Sequence, residues 1–269
     1  MSPLNHLLGT EPPQQDDSLV AALDLDAGLF RSITLALNAI AQECAVTLDP
    51  AGLGIRVLDS ANVAMVSVEV KRPVRIDAPF QFGLDALKVK EAFFRGSETD
   101  LDLKDPIRVE VWSRRDARYL VVSAHDVAYE LKEIPLAMLR RVPNRPDLNL
   151  PGQSRVSSEQ LFRALVHAGR LSDQVTLTLA NGVLTVTARG DGHVLRRQIP
   201  VSIGSTENEG KTYSAKYSLD YLGEICKAAR GSGLVGLRFF TDHPLVLTAE
   251  SAEDCTIEFI LAPRTGKDD

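Results

Sequence analysis

Between residues 28 and 43 the apolar positions recur at helical spacing, with Leu29, Ile33, Leu37 and Ile40 on one face. The pattern predicts an amphipathic helix that packs this face on something. The signature returns at 160–171: Leu-Phe-Arg at 29–31 is matched by Leu-Phe-Arg at 161–163, and Leu161, Leu165 and Ala168 share a face, an offset of 132 residues. A second pair follows. The strand pattern at 80–85 runs into a helix at 86–95, and its echo at 213–220 runs into a helix through Arg230, with Leu84 and Leu219 separated by 135 residues. In the first of these helices Leu87, Ala92 and Phe93 take the inner face and Lys88, Glu91 and Arg95 the outer. In the second Leu222, Ile225, Cys226 and Ala229 face inward and Gly223, Lys227 and Arg230 outward. Two offsets that nearly agree, in the same order, predict an internal duplication.

Between the helices the period changes to two. Residues 18–23, 45–49, 54–59 and 63–70 read as strands, the last two joined by a Ser60-Ala61-Asn62 turn in a meander. A hairpin at 107–112 and 119–123 is answered by one at 236–240 and 244–248. Each unit is thus expected to be α+β, two helices covering one face of antiparallel sheet. Four prolines among residues 134–151 forbid a helix or central strand and predict an extended crossing segment. Its interspersed Leu, Met and Val mean that it lies on apolar surface or offers one. The expected division is a mobile arm at 1–17, a first domain at 18–133, a connector at 134–151, a second domain at 152–264 and a tail at 265–269.

Composition narrows the function classes. The chain has 269 residues, 44% of them hydrophobic and 25% charged, which suits a globular protein of two domains. With 30 basic and 36 acidic residues the net charge is −6, so any polyanion must meet a localised basic patch. Cys44, Cys226 and Cys255 are odd in number and lack CxxC spacing, against a disulfide framework or zinc site and in favour of a reducing, cytoplasmic compartment. No apolar run approaches a membrane span and no signal peptide opens the chain, so no membrane is expected. His6, His125, His167, His193 and His243 are scattered, no serine sits in GxSxG, and Gly190-Asp191-Gly192 is a turn without a phosphate-loop pattern. Asp100 and Asp102 fall in a polar loop. No catalytic constellation and no cofactor site is expected.

The helices do carry a pattern. Arg163, His167 and Arg170 form a basic stripe opposite the apolar face of the second copy, and Arg31, Thr34, Asn38 and Gln42 occupy the matching positions of the first. These are solvated faces, or a shared surface for a polyanion whose contacts would be to phosphate and carry no sequence readout.

At this point the residues resemble a known family. Residues 53–70, with Leu58-Asp59-Ser60-Ala61-Asn62-Val63, then Phe82-Gly83-Leu84-Asp85, Tyr217-Ser218-Leu219-Asp220-Tyr221-Leu222, Asp242-His243-Pro244-Leu245-Val246 and above all Phe259-Ile260-Leu261-Ala262-Pro263-Arg264 resemble proliferating cell nuclear antigen, the DNA sliding clamp of archaea and eukaryotes. The likeness runs in order from about Leu19 to Arg264, and the run at 145–151 looks archaeal, most like the clamps of salt-adapted lineages. It implies duplicated clamp units that close, as a homotrimer of head-to-tail subunits, into a ring around double-stranded DNA, with pairing edges at about 126–132 and 194–199. By the same resemblance Arg31, Lys88, Lys90, Arg95, Arg163, His167, Arg170, Lys227 and Arg230 would line the hole. Ser32, Asn38 and Asp220 stand where the family often has bases, which implies a weaker or more salt-sensitive grip. A partner pocket would be walled by Leu58, Val63, Val142, Pro146, Leu148, Pro244, Ile260, Leu261, Ala262 and Pro263, or these residues are plain core. Its occupants would be DNA polymerase, clamp loader and other replication and repair proteins bearing short apolar clamp-binding motifs. The resemblance implies a processivity factor that is no enzyme, nucleoid-associated in the cytoplasm, or in a host's cytoplasm if the gene is viral. The rivals are a clamp-like monomer or hetero-oligomer in DNA repair, and a DNA-modifying enzyme.

Overall fold

The computed structural model describes residues 17–94, 101–115, 117–201, 203–204, 210–252 and 254–265. The arm at 1–16, Arg95 and the last four residues lie outside them. The chain divides into two compact units, the first from 1–57 and 68–142, the second from 58–67 and 143–269.

The first unit runs β1 (Ser18–Asp26), α1 (Ala27–Asn38), β2 (Glu43–Asp49), β3 (Gly52–Leu58), β4 (Ala64–Val70), β5 (Arg75–Ile76), β6 (Phe80–Asp85), α2 (Ala86–Phe93), β7 (Pro106–Arg114), β8 (Ala117–Ala124) and β9 (Val127–Lys132). The tip of the β3–β4 hairpin, 58–67, groups with the second unit. That unit continues with β10 (Gly152–Ser157), α3 (Ser158–Ala168), β11 (Gln174–Ala180), β12 (Val183–Gly190), β13 (His193–Pro200), β14 (Ile203–Gly204), β15 (Thr212–Ser218), α4 (Leu219–Ala228), β16 (Leu234–Phe239), β17 (Leu245–Ala252) and β18 (Cys255–Leu261). Strand orders β5-β1-β7-β8-β9 and β4-β3-β2-β6 in the first unit are repeated as β14-β10-β16-β17-β18 and β13-β12-β11-β15 in the second. Nine strands and two helices correspond one for one, so the duplication read from two helices extends to the whole unit.

The duplication also reaches single hydrogen bonds. Ala27 N–H donates to Asp105 C=O at 2.9 Å and Ser158 N–H to Gly233 C=O at 3.0 Å; Ala86 N–H donates to Gln42 C=O and Leu219 N–H to Asp173 C=O, at 2.7 and 2.8 Å. Each helix thus satisfies an orphan N–H on a loop carbonyl. Side chains complete three of the four starts: Asp26, Asp85 and Ser157 accept from the N–H of Leu29, Lys88 and Gln160.

The expected single sheet under each helix pair is in fact two. In the first unit α1 lies on β1 and β7 and α2 on β2; in the second α3 reaches β10 to β13 and α4 reaches β11, β15 and β18. Within each unit the two helices pack side by side. Leu29, Ile33, Leu37 and Ile40 are buried as their spacing predicts, as are Leu161, Leu165 and Ala168, and Leu222, Ile225, Cys226 and Ala229. Two details differ. In α2, Val89 is buried, Leu87 half-buried and Ala92 exposed, because the helix begins at Ala86 and Phe93 closes it against Phe30, the rings edge to face at 5.8 Å. In α1, Thr34 is buried, because its hydroxyl donates to Phe30 C=O at 2.8 Å and leaves a methyl for the core. The core of the first unit encloses an apolar cavity of about 60 Å³ walled by both sheets and both helices, Leu37, Phe82, Ala86 and Val111 among its lining.

From 133 to 151 the chain is extended apart from a 3₁₀ turn at Leu136–Met138, as its prolines predict. Its departure point is fixed at Gly83, where a Cβ would stand 2.0 Å from Ile134 C=O and where the Ile134 N–H donates to Gly83 C=O. Only glycine admits that approach.

Candidate functional site

Two surfaces hold the candidate residues. The first is the exposed face of each helix pair. Arg31, Lys88, Arg163, His167, Arg170, Lys227 and Arg230 are exposed and Lys90 is half-buried. Arg95 falls outside the described residues. The helices bring these groups to the side away from the core, but the charge is not all free. Lys88 pairs with Asp85 at 3.3 Å, Lys227 with Glu224 at 3.3 Å, and Arg163 and Arg230 both with Glu159. Among the described residues Arg31, Lys90 and Arg170 make no ion pair. The surface is therefore weakly basic and patterned by acids that the periodicity of the basic residues does not reveal. Glu159 was within reach of a sequence argument through its i, i+4 spacing to Arg163. Its second partner, 71 positions on, was not.

The second surface belongs to the second unit. Asp59, on the hairpin tip, is buried, and its carboxylate accepts from the N–H of Ala61, Val63 and Ala64 at 2.9, 2.7 and 2.8 Å and from Tyr221 Oη at 2.7 Å. Burial pushes its carboxyl up, but the hydrogen bonds from Ala64, Tyr221, Ala61 and Val63 outweigh burial and hold it below the ordinary carboxylate range. Val63 C=O accepts from Ala262 N–H at 2.8 Å, so the hairpin and the segment after β18 are tied edge to edge. Alongside, Arg145 is held by Glu258, which also takes Arg238, so the later part of the proline-rich segment is anchored to β18. Tyr217 Oη donates to His243 C=O at 2.9 Å and pins the turn that presents Pro244.

Of the predicted pocket residues, Leu58, Val63, Leu148, Pro244, Ala262 and Pro263 are half-buried and Pro146 exposed. Ile260 and Leu261 are buried on β18, opposite Val246 and Leu245, and belong to the core. Val142 is half-buried and falls in the first unit. Asp59 and Tyr221, which hold the hairpin, were not among the predicted site residues; a hairpin Asp followed by Ser-Ala-Asn is the signal of an Asx turn that could have found the former.

The three cysteines are buried, and burial pushes the Cys44 thiol up to about 12 and raises Cys226 further. Among the described residues no three His, Cys, Asp or Glu converge as metal ligands, and no helix is long and apolar enough to cross a membrane.

One further feature is shared by the two units. β9 and β13 each end a sheet, and among the described residues each pairs along one edge alone. These are the segments that the family resemblance assigns to subunit pairing. Val127 on β9 is 52% exposed and Val194 on β13 46%.

No family profile matches the chain. Curated relatives do. The DNA polymerase sliding clamp of Methanoregula boonei is 28% identical over 256 residues, covering 91% of this chain and 98% of the relative. That of Archaeoglobus fulgidus is 27% identical over 241 residues, covering 88% and 95%. The chain is similar to sliding clamps along nearly its whole length. Solved structures agree on the fold: A. fulgidus PCNA, determined with the C-terminal region of FEN-1 bound to it, superposes with a TM-score of 0.79 at 24% identity, covering 93% of this chain and all of that one. The proliferating cellular nuclear antigen of Entamoeba histolytica gives 0.78 at 17% identity, covering 92% and 100%. The chain thus matches these proteins along nearly its whole length, in both units.

Proposed function

We propose that this protein is a DNA sliding clamp: copies join head to tail, β9 of one against β13 of the next, and three of them close a ring around duplex DNA with their helix pairs toward the phosphates. The observation that carries this reading is that β9 of the first unit and β13 of the second are among the strands that end a sheet in a duplicated fold. Long exposed edges invite strand pairing, and one heterologous contact that uses both ends of a chain closes into a ring when the rotation per copy allows. Charge supports the match: Arg196 and Arg197 lie on β13, Asp126 immediately precedes β9, and Glu130, which also pairs with Arg114, lies on it.

The mechanism needs no reaction. A closed ring leaves DNA by opening or at an end, so retention does not depend on tight contacts, and weak phosphate contacts let it slide because none reads sequence. The half-buried surface formed by Leu58, Val63, Pro244, Ala262 and Pro263 would take a short apolar segment of a polymerase, clamp loader or other replication or repair protein, with few buried anchors supplying most of the affinity. The bound FEN-1 segment in the A. fulgidus neighbour favours that use.

Light scattering after gel filtration tests the assembly. The expected result is three chains of 29.3 kDa each, at both low and high salt. A monomer at all concentrations would overturn the reading in favour of a clamp-like protein that acts alone or with unlike subunits.

A further inference from the structure

In the second unit two arginines of the helix face converge on one carboxylate. Glu159, in the first turn of α3, accepts from Arg163 Nε at 2.6 Å, from Arg230 Nε at 2.5 Å and from Arg230 Nη2 at 3.0 Å. Arg230 is preset for this. Its carbonyl accepts from the Ser158 hydroxyl at 2.7 Å, which holds its backbone at the start of α3, and its guanidinium lies over the Phe162 ring, 5.0 Å from the centroid. The first unit lacks the device. Aligned on the repeated Leu-Phe-Arg, Arg31 is the counterpart of Arg163 and Ala27 the counterpart of Glu159. Arg31 makes no ion pair among the described residues.

Resting on the sliding-clamp reading, we propose that Glu159 is a built-in competitor for DNA phosphate, which holds Arg163 and Arg230 in pairs that a passing phosphate must displace. Arginine forks bind carboxylate and phosphate in the same bidentate manner, so the two acceptors compete for the same donors. Exchange of one anion for another keeps each contact on this helix pair short-lived. Two cations thereby lie in the path of the DNA while the standing charge of the cluster is +1, and the grip of the second unit is set below that of a face with two free guanidiniums. The carboxyl of Glu159 is held below its ordinary range by Arg230 first and Arg163 second, so the competitor is fully charged at neutral pH.

The test uses the full chain and a short fluorescent duplex, with affinity followed by anisotropy over a range of salt. Glu159→Gln keeps the size and an acceptor oxygen but removes the charge. It is expected to tighten binding several-fold at low salt and to steepen the dependence of log affinity on log salt by about 1 to 2, since each newly neutralised phosphate adds about 0.9 to the slope. In the background Arg163→Gln with Arg230→Gln the same substitution is expected to leave the slope unchanged and to tighten binding less, since only the general repulsion between the carboxylate and phosphate is then relieved. If single Glu159→Gln leaves the slope at the parent value while removal of the arginines weakens binding, the competitor role is wrong and the clamp reading stands. If removal of Arg31, Arg163, Arg170 and Arg230 together leaves duplex binding untouched, the clamp reading itself fails. Circular dichroism guards against misfolding, and Glu159→Asp, which retracts the carboxylate without removing its charge, serves as the second variant and is expected to fall between parent and Glu159→Gln.

Discussion

The two units share a backbone plan to the level of individual helix-start hydrogen bonds, yet their helix faces differ. On the first, Arg31 follows Ala27 and stands unopposed; on the second, Arg163 follows Glu159 and is held, together with Arg230. A duplicated fold keeps what its core and caps require and leaves the exposed face to drift. Basic residues at equivalent positions of two repeats are therefore not equivalent charges, and the ion pairs have to be known before a surface is counted as positive.

The comparison extends to the interiors, where the largest effects are expected. Leu222 is fully buried in the second unit, and Leu222→Ala should cost about 3 kcal/mol of unfolding free energy in urea. In the first unit Ala86 lines the existing cavity, so Ala86→Val should cost less than about 1 kcal/mol, because its added methyls enter space already present. A loss at Ala86→Val as large as that at Leu222→Ala would break the contrast.

Next in size is the Asp59 cluster, which belongs to the second unit. Asp59→Ala leaves three backbone N–H groups and the Tyr221 hydroxyl without their acceptor and should cost about 2 to 3 kcal/mol, whereas Tyr221→Phe removes one bond and should cost about 1 kcal/mol. The folded carboxyl of Asp59 titrates below its unfolded value. Its stabilisation is therefore present above the ordinary carboxylate range and is lost as pH falls through the folded pKa. Asp59→Asn should flatten the acid limb of the stability curve; an unchanged limb would mean that other carboxylates set it.

The smallest effect is expected in the first unit, where His125 Nε2 meets Asp105 at 2.9 Å on the surface. The Asp105 hydrogen bond and charge raise His125 above its usual value and His125 lowers Asp105. The sign follows for each partner: the His125 contribution is full below the unfolded histidine pKa and fades as pH rises through the raised one, while the Asp105 contribution needs pH above the carboxylate range. The protection against hydrogen exchange at the turn between β8 and β9, with the intrinsic base-catalysed rise of the rate divided out, should be greatest near pH ~5 to 6 and should fall as pH rises through the raised pKa of His125. His125→Gln should remove that dependence.

Much of this was legible in the sequence. The repeated Leu-Phe-Arg and the two offsets gave the duplication, and the buried faces of α1, α3 and α4 follow from spacing alone. Thr34 escaped because a hydroxyl that bonds its own helix counts as apolar to the core. Val89 and Ala92 were exchanged because the helix ends two residues short of Arg95. The strand β11 alternates, as Val175, Leu177 and Leu179 show, but which strands would lie at open edges came from family resemblance, since edge position is a property of pairing rather than of local pattern. Ile260 and Leu261 look like pocket walls by motif and are buried on β18 opposite Val246 and Leu245.

The central claim is closure through β9 and β13, and a two-site crosslink tests it most directly. With Tyr129→Cys on β9 and Arg196→Cys on β13, treatment of the full chain with a short bis-maleimide has few competing thiols, since the native cysteines are buried. The account predicts a single covalent species of three chains that migrates as a closed circle, and singly substituted chains that remain uncrosslinked. Monomers alone, or a ladder that runs on past three chains, would contradict it.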